Sequence, residues 1–137
     1  MECIFCKIIA GQVPCDKVYE DDQAVAFLDI APITRGHTLV VSKKHFSDVA
    51  ATPVAVVALM MRALQRVAPA VMQAAGATAF NVGINNGLAA GQIVLHTHFH
   101  LIPRRADDRL QPWPHGKYGP GEGAALAGKI AAALTHA

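Results

Sequence analysis

Short apolar runs separated by turn-forming residues predict an antiparallel sheet. The first three β-prone runs cover residues 18–20, 24–28 and 38–41, and polar or proline- and glycine-containing segments at 21–23 and 32–36 separate them. Two later runs, at 79–83 and 95–103, bring the number of predicted strands to five. No internal repeat interrupts this order, so we expect one sheet in one domain.

Apolar residues at helical spacing predict a short helix near the N-terminus. Phe5, Ile8 and Ile9 follow this spacing over residues 5–10, and Gly11 provides a stop. A second amphipathic stretch covers residues 124–134, after a proline- and glycine-rich segment in which no regular pattern is readable.

A long helix is predicted between the third and fourth strands. Thr52 offers a capping hydroxyl and Pro53 suits the first helical position. The helix is expected to run toward Ala75 and to end at Gly76, with a kink or a break at Pro69. Strands and helices in this order predict an α+β fold with an antiparallel sheet.

Apolar and polar residues alternate strictly through the last predicted strand. Because side chains in a strand alternate between its faces, the pattern puts three imidazoles on one side: His96, His98 and His100. The other side receives Leu95, Thr97, Phe99 and Leu101. Adjacent imidazoles can bind a metal, hold an anion or supply a nucleophile with helpers. A solvated histidine cluster is the alternative, and the alternating apolar residues disfavour it.

The loop before the histidines is rich in residues that tolerate left-handed backbone, from Asn85 to Gly91. Gly91 allows the main chain to approach a ligand closely. We therefore expect N–H groups near Gln92 and Ile93 to point toward an anion beside the imidazoles. A small anionic ligand such as a phosphate fits this arrangement.

Composition narrows the class of protein. The chain has 137 residues, enough for one domain, and its 53% hydrophobic content against 16% charged residues favours a subunit interface. A net charge of +2 with scattered lysines and arginines argues against a nucleic acid partner. The longest uncharged apolar run, at 53–61, is too short for a bilayer crossing, and no secretory signal is recognisable, so a cytoplasmic location without a membrane partner is expected.

Three cysteines in a reducing compartment favour metal or redox chemistry over disulfides. Cys3 and Cys6 have the spacing that lets two thiolates bind one tetrahedral ion, and His45 and His96 are the candidate imidazole ligands. Two small buried apolar residues are the alternative interpretation of the cysteine pair. Cys15 is expected to be an unliganded thiol.

The run of residues 91–102 resembles the signature of the histidine triad, or HIT, family. Further similarity to that family lies in residues 4–11, 19–22, 26–30, 36–41 and 43–45, and it extends to about residue 104. The resemblance implies a single HIT domain over residues 1–137, with a variable C-terminal tail at 104–137. It also implies five antiparallel strands with one long and one short helix, and a homodimer whose subunits form a continuous ten-stranded sheet.

The same resemblance implies roles for individual residues. The expected nucleophile is His98, which would form a covalent nucleotidyl intermediate, while His100 donates to a phosphate oxygen and Gln92 reaches the leaving-group side. His96 is either a further catalytic group or a zinc ligand with Cys3, Cys6 and His45, since a bound ion would occupy one of its nitrogens. The nucleotide-binding set comprises Phe5, Ile8, Phe27 and Ile30 around a purine, Asp29 on the ribose, Asn85 on ribose or phosphate, and Gly91, Gln92, Ile93, His98 and His100 at the phosphate.

The likeness is greatest to the Hint branch of the family, which cleaves the P–N bond of adenosine 5'-phosphoramidates and aminoacyl adenylates. One departure is Ile93, where that branch usually has serine or threonine, so a hydroxyl donor is missing. A dinucleoside polyphosphate hydrolase and a purine-nucleotide-binding regulatory protein with little catalysis are the alternatives. His37 is a candidate relay group, and a buried core histidine is the competing interpretation.

Overall fold

A computed structural model describes residues 2–134 of the chain. Its centre is a five-stranded antiparallel sheet with the order β1-β2-β3-β5-β4. The strands are β1 Lys17–Glu20, β2 Ala24–Leu28, β3 Thr38–Ser42, β4 Ala79–Gly83 and β5 His98–Arg104. The predicted α+β fold and its five antiparallel strands are confirmed.

Three α-helices and one 3₁₀ turn accompany the sheet. They are α1 Ile4–Ile9, α2 Val54–Ala75, the 3₁₀ turn Leu88–Ala90, and α3 Glu122–Leu134. The short and the long predicted helix are α1 and α2. The amphipathic stretch of the tail is a third helix, none of whose residues is buried. The last three residues of the predicted tail lie outside the described residues.

The long helix differs from its prediction at two places. Pro69 does not split α2, which is continuous over 22 residues. Pro69 and Gln65 are both exposed, so the carbonyl that loses its helical donor can be hydrated by water. Thr52 does not cap the helix; its hydroxyl donates to the Asp48 carbonyl at 2.6 Å instead. At the other end Gly76 adopts the left-handed conformation, with φ 65°, as the predicted stop requires.

One face of the sheet packs on α2. This core contains, from the sheet, Ala24, Ala26, Val40, Phe99 and Leu101 and, from the helix, Met60, Ala63, Leu64, Val67, Ala68 and Val71. By length and apolar composition alone α2 could also cross a membrane, and it is the one helix of the described residues that could. Its packing on the sheet is that of a core helix.

The other face of the sheet carries α1. Val25, Phe27, Leu39 and Val41 alternate with the residues of the first core, and they pack with Cys3 and Phe5. In the register of β3 with β5, Leu39 is opposite His100 and Val41 is opposite His98. Directly paired residues share a face, so both histidines project toward the α1 side.

Candidate active site and metal centre

The histidine strand begins later than its alternation predicts. β5 starts at His98, and residues 94–96 form bends rather than a strand. Leu95, which was expected on the core face, is 50% exposed. His96 therefore lies just before the strand, where the Thr97 N–H donates to the Phe46 carbonyl at 2.8 Å. Its ring still lies on the α1 side with that of His98, since the Phe5 ring is 5.8 Å from His96 and 5.0 Å from His98.

The ring of His96 is fully buried and held at both nitrogens. Its Nε2–H donates to the Ser42 carbonyl at 2.6 Å. A neutral imidazole carries one proton, so Nδ1 presents a lone pair. That nitrogen lies 3.3 Å from Cys3 Sγ. Burial lowers the pKa of His96, which favours the neutral ring whose Nδ1 lone pair can bind a metal ion.

Four side chains that sequence spacing proposed as metal ligands come together around His96. Cys6 Sγ lies 3.6 Å from His96 Nδ1 and 3.4 Å from His45 Nδ1, and the two Nδ1 atoms are 3.2 Å apart. Tetrahedral zinc with bonds of about 2.0–2.3 Å places its ligand atoms about 3.3–3.8 Å apart. The group of Cys3, Cys6, His45 and His96 can therefore hold a metal ion, and its two thiols and two imidazoles suit zinc.

His98 is oriented through the backbone of His96. Its Nδ1–H donates to the His96 carbonyl at 2.6 Å, which leaves Nε2 unprotonated. Burial lowers the pKa of His98, so the ring is neutral at pH 7. A neutral imidazole with a fixed tautomer and an available nitrogen is a competent nucleophile.

A hydrogen-bond chain fixes the tautomer of His100. The Ile33 N–H donates to His37 Nδ1 at 3.0 Å, so the His37 proton resides on Nε2. From there it is donated to His100 Nδ1 at 2.9 Å. The His100 proton must then be on Nε2, where it can donate to a ligand. Burial, followed by repulsion from His98 and His37, lowers the pKa of His100 to about 4. His37 thus fixes the tautomer of His100, and its predicted role as a relay stays a prediction.

Asp29 adds a negative charge beside this histidine pair. Its Oδ1 accepts the Ala31 N–H at 2.9 Å, and its Oδ2 lies 3.7 Å from His37 Nε2. The Asp29 carboxylate therefore stabilises the turn at the end of β2 through Oδ1 and faces the site through Oδ2. Its predicted contact with ribose stays a prediction.

Aromatic side chains surround His98 from the α1 side. The Phe5 ring meets that of His98 edge-on, with centroids 5.0 Å apart, and meets Phe27 at 5.5 Å. Ile8 is half-buried and packs against the same cluster. Ile30 differs from an ordinary core residue, because it is 96% exposed. An isoleucine that protrudes beside Asp29 is available for contact with a ligand or a partner chain.

The loop before the triad is arranged differently from its prediction. The Gln92 side chain is buried and braces the loop: its Oε1 accepts the Gly87 N–H, while its Nε2 donates to the Ser47 and Val94 carbonyls. The Gln92 N–H donates to the Gly87 carbonyl at 3.1 Å. Neither the amide side chain nor this N–H points freely at a ligand, because the tight loop uses both.

Two other loop residues, Gly91 and Ile93, are described by their backbone and exposure, and their predicted contacts with a phosphate stay predictions. Gly91 has φ 88°, and a Cβ there would meet Asn85 Nδ2 at 3.7 Å. Left-handed backbone rather than lack of space explains the glycine. Ile93 is 90% exposed, so its side chain contributes no packing that a hydroxyl-bearing residue would lose.

A buried polar network behind the histidines was not predicted. Thr97 Oγ1 lies 2.8 Å from Thr52 Oγ1, and Ser42 Oγ donates to the Lys44 carbonyl at 2.8 Å. The contact between Thr97 and Thr52 joins the start of the histidine strand to the segment before α2. Strand alternation predicted an inward Thr97, but its partner Thr52 is 45 residues distant in sequence and carried no signal of the contact.

Comparison with known proteins decides the family. A family model described as the HIT domain matches residues 10–107. The chain belongs to the HIT family. The matched segment contains the whole sheet and His96, His98 and His100.

Relatives of the chain include two eukaryotic proteins that are named for an enzymatic activity. Adenylylsulfatase HINT3 of Arabidopsis thaliana is 45% identical over 109 residues, which cover 80% of this chain and 55% of the relative. The chain thus spans about half the length of that protein. Adenosine 5'-monophosphoramidase hnt1 of Schizosaccharomyces pombe is 39% identical over 123 residues, which cover 90% of this chain and 83% of the relative.

Among solved HIT structures, a Zn-bound histidine triad family protein from Mycobacterium smegmatis is similar to the whole chain. It superposes with a TM-score of 0.77 at 40% identity, covering 96% of this chain and 98% of the other. A metal ion in a relative of this fold is consistent with the close Cys/His group described here.

Proposed function

We propose that this HIT protein is a nucleotide hydrolase that cleaves adenosine 5'-phosphoramidates or aminoacyl-AMP through a covalent adenylyl-His98 intermediate. The observation that carries the proposal is the 2.6 Å bond from His98 Nδ1–H to the His96 carbonyl, which leaves Nε2 free beside the ring of Phe5. A 39% identical adenosine 5'-monophosphoramidase supports the substrate class.

The proposed reaction has two displacements at phosphorus. His98 Nε2 attacks, a P–N(imidazole) bond forms, and the bond to the amine breaks as the departing nitrogen takes a proton from solvent. Water then attacks the same phosphorus, the P–N(imidazole) bond breaks, and AMP leaves with the added oxygen while the proton lost by the water returns to solvent. His100 Nε2–H donates to a non-bridging oxygen on which charge increases in both steps. The neutral imidazole is a good nucleophile, and because Nδ1 keeps its proton the adenylylated ring is an imidazolium that departs as neutral imidazole, a good leaving group.

The remaining residues would bind and orient the nucleotide. Asp29 can accept hydrogen bonds from ribose hydroxyls, because its Oδ2 is free of backbone donors in the described residues. Phe5 and Phe27 provide an apolar wall, with Ile8 and Ile30 beside it. In this proposal Gln92 supports the loop rather than the leaving group.

Zinc is the metal that we propose for Cys3, Cys6, His45 and His96. A closed site with four protein ligands leaves no position for substrate or water, so the ion would supply rigidity and no catalysis. His96 would then act as a ligand and not as a proton donor. The chain would function as a cytoplasmic homodimer, in which the exposed edge strand β4 pairs with that of a second copy.

A sulfate leaving group is the second candidate, favoured by the 45% identical adenylylsulfatase. Sulfate needs no proton to depart, whereas an amine does. Hydrolysis of adenylyl sulfate would therefore persist at high pH, where release of an amine slows. Comparing the two substrates across pH separates the candidates.

The proposed function is tested by the release of tryptamine from its adenosine 5'-phosphoramidate. Wild type is expected to release the amine, and His98→Ala is expected to lose at least about a thousandfold in rate while still binding AMP. Equal rates in both proteins would contradict the nucleophilic role. AMP binding without hydrolysis of this substrate, adenylyl sulfate or a diadenosine polyphosphate would instead support a regulatory binding protein.

A further inference from the structure

Two separate contacts link the Cys/His group to His98. The first runs through the backbone, because His96 supplies both a ligand nitrogen and the carbonyl that accepts the His98 Nδ1–H. The second runs through α1, because Phe5 lies between Cys3 and Cys6 and its ring is 5.0 Å from that of His98 and 5.8 Å from that of His96. A shift of either the His96 main chain or of α1 would move the surroundings of His98.

The helix that carries Phe5 has little stability of its own. α1 has six residues, fewer than an isolated helix needs in water. Its N-cap is Cys3, whose Sγ accepts the Cys6 N–H at 3.4 Å. The Lys7–Glu2 ion pair is exposed and adds little. Packing of Phe5 and the two thiols therefore determines where α1 lies.

His96 is the corresponding fixed point on the sheet side. Its Nε2 is bonded to the Ser42 carbonyl and its Nδ1 faces the thiols and His45, so a metal ion would restrain the ring from both ends. His96 Nδ1 presents its lone pair to His45 Nδ1 at 3.2 Å and to the Sγ atoms of Cys3 and Cys6 at 3.3 and 3.6 Å. The position of the His96 ring therefore depends on what these three side chains bind.

We propose that Cys3, Cys6 and His45 are positioning residues for the nucleotide site. Metal binding fixes α1 and the His96 carbonyl, and these hold Phe5 and His98 in the arrangement that binds the nucleotide. This inference rests on the proposed function, since it assumes that AMP binds beside His98. Because coupling between two ligands is reciprocal, AMP must strengthen metal binding by the same factor by which the metal strengthens AMP binding.

The test compares the full-length protein loaded with zinc and stripped by a chelator. Calorimetry is expected to give an AMP dissociation constant about tenfold higher for the stripped protein. Competition with a chromophoric chelator is expected to give a zinc dissociation constant lowered by that same factor when AMP is present. Cys15→Ser serves as the control, because Cys15 is a free thiol outside the ligand group and both constants should stay at wild-type values.

Phe5→Leu separates the two routes. The variant keeps the four ligands and an apolar residue on α1 but loses the ring that meets His98. We expect it to bind zinc as tightly as wild type and to show a smaller ratio between loaded and stripped AMP dissociation constants. An unchanged ratio would assign the coupling to the His96 carbonyl alone and overturn the role given to α1.

If the zinc-free protein unfolds, a cobalt-substituted protein provides a second measurement. Co²⁺ on two thiolates and two imidazoles absorbs visible light, and AMP is expected to shift that spectrum through Phe5 and His96. An unchanged spectrum at saturating AMP, or equal AMP affinities for folded loaded and stripped protein, would overturn the positioning role while leaving the function intact. Failure of the loaded wild type to bind AMP would instead overturn the proposed function.

Discussion

Each imidazole around the nucleophile is defined by what its second nitrogen contacts. His98 donates to a main-chain carbonyl, His100 accepts from His37, and His96 donates to Ser42. These contacts put the proton of His98 on Nδ1 and those of His96 and His100 on Nε2, and the different surroundings give three different capacities: nucleophile, metal ligand and donor. The same residue type at the same sequence spacing acquires its role from the neighbours that the fold supplies.

Ile93→Ser is expected to raise the rate of phosphoramidate hydrolysis by about tenfold, because one additional hydroxyl donor to the transition-state phosphate is worth about 1–3 kcal/mol. The side chain is exposed, so the change should leave stability nearly unaltered. Ile93→Ala is the matched control, since it shortens the side chain without adding a hydroxyl. A similar rate for the serine and alanine variants would show that the hydroxyl is not what this position lacks.

His100 should make the stability of the protein depend on pH. Burial lowers its pKa to about 4, against 6.5 for an unperturbed histidine. Between these values the unfolded state binds more protons, so the free energy of unfolding decreases as pH falls from 6.5 to 4. The loss due to His100 is at most about 3 kcal/mol, and less with relaxation of the site.

The measurement is urea unfolding of wild type and His100→Gln at a series of pH values across this range. Both proteins are studied without metal, because acid releases metal from thiols and imidazoles independently. Wild type is expected to lose more stability toward low pH than the variant. Parallel curves would mean that His100 is charged or solvated in the folded protein.

At the scale of elements, a contact between two buried threonines, Thr97 and Thr52, stabilises the start of the histidine strand. Thr97→Val keeps the shape of the side chain but removes the 2.8 Å contact with Thr52 and the hydrogen bond to the Phe46 carbonyl. We expect a loss of about 1–2 kcal/mol in the free energy of unfolding, measured with urea.

A double-mutant cycle with Thr52→Val tests whether the two threonines act together. Because both hydroxyls are buried and in contact, the double variant should lose at least about 0.5 kcal/mol less than the sum of the single losses. Additive losses would mean that each hydroxyl is satisfied by the backbone alone.

The predictability of an element depended on whether its signal was local. Periodicity and turn residues located all five strands, α1, and the two ends of α2, since hydrophobic alternation and glycine conformation depend on nearby residues. The predicted start of β5 was wrong, because the Thr97 N–H donates to the Phe46 carbonyl, which is 51 residues away in sequence. The break predicted at Pro69 was wrong, because the free-energy cost of the missing hydrogen bond depends on which side of α2 faces solvent.

The residues of the candidate site were likewise predictable only where their signal lies in the sequence itself. The spacing of Cys3 and Cys6 predicted a metal site with His45 and His96 as candidate imidazole ligands, and the structure brings the four side chains together. The hydrogen bonds of the Gln92 side chain with Gly87 and Ser47 could not be predicted, since they depend on the path of the loop. The same holds for the hydrogen bond of the Gln92 N–H. Ile33, whose N–H sets the His37 tautomer, offers only its backbone and therefore has no sequence signal.

At the scale of the whole molecule, one edge of the sheet is open. All five residues of β4 are exposed, including Phe80 at 43% and Val82 at 41%. An apolar edge strand of this kind is a template for pairing with another chain. The proposed homodimer would extend the sheet across this edge.

Val82→Lys is expected to shift the protein toward monomer, because a charged residue on an edge strand opposes pairing. Val54→Lys is the matched control: Val54 is also exposed, but it lies at the start of α2, away from β4. Sedimentation equilibrium measures both. Dimerisation of equal strength in the two variants would move the interface to another surface, such as the exposed α3.

The central claim is that the nucleotidyl group is transferred to His98 before water receives it. The most direct test is the stereochemical course at phosphorus, using an adenosine 5'-thiophosphoramidate of known configuration hydrolysed in isotopically labelled water. Each in-line displacement inverts phosphorus, so two successive displacements predict net retention. Net inversion would mean that water attacks the substrate directly, and it would contradict the covalent role of His98.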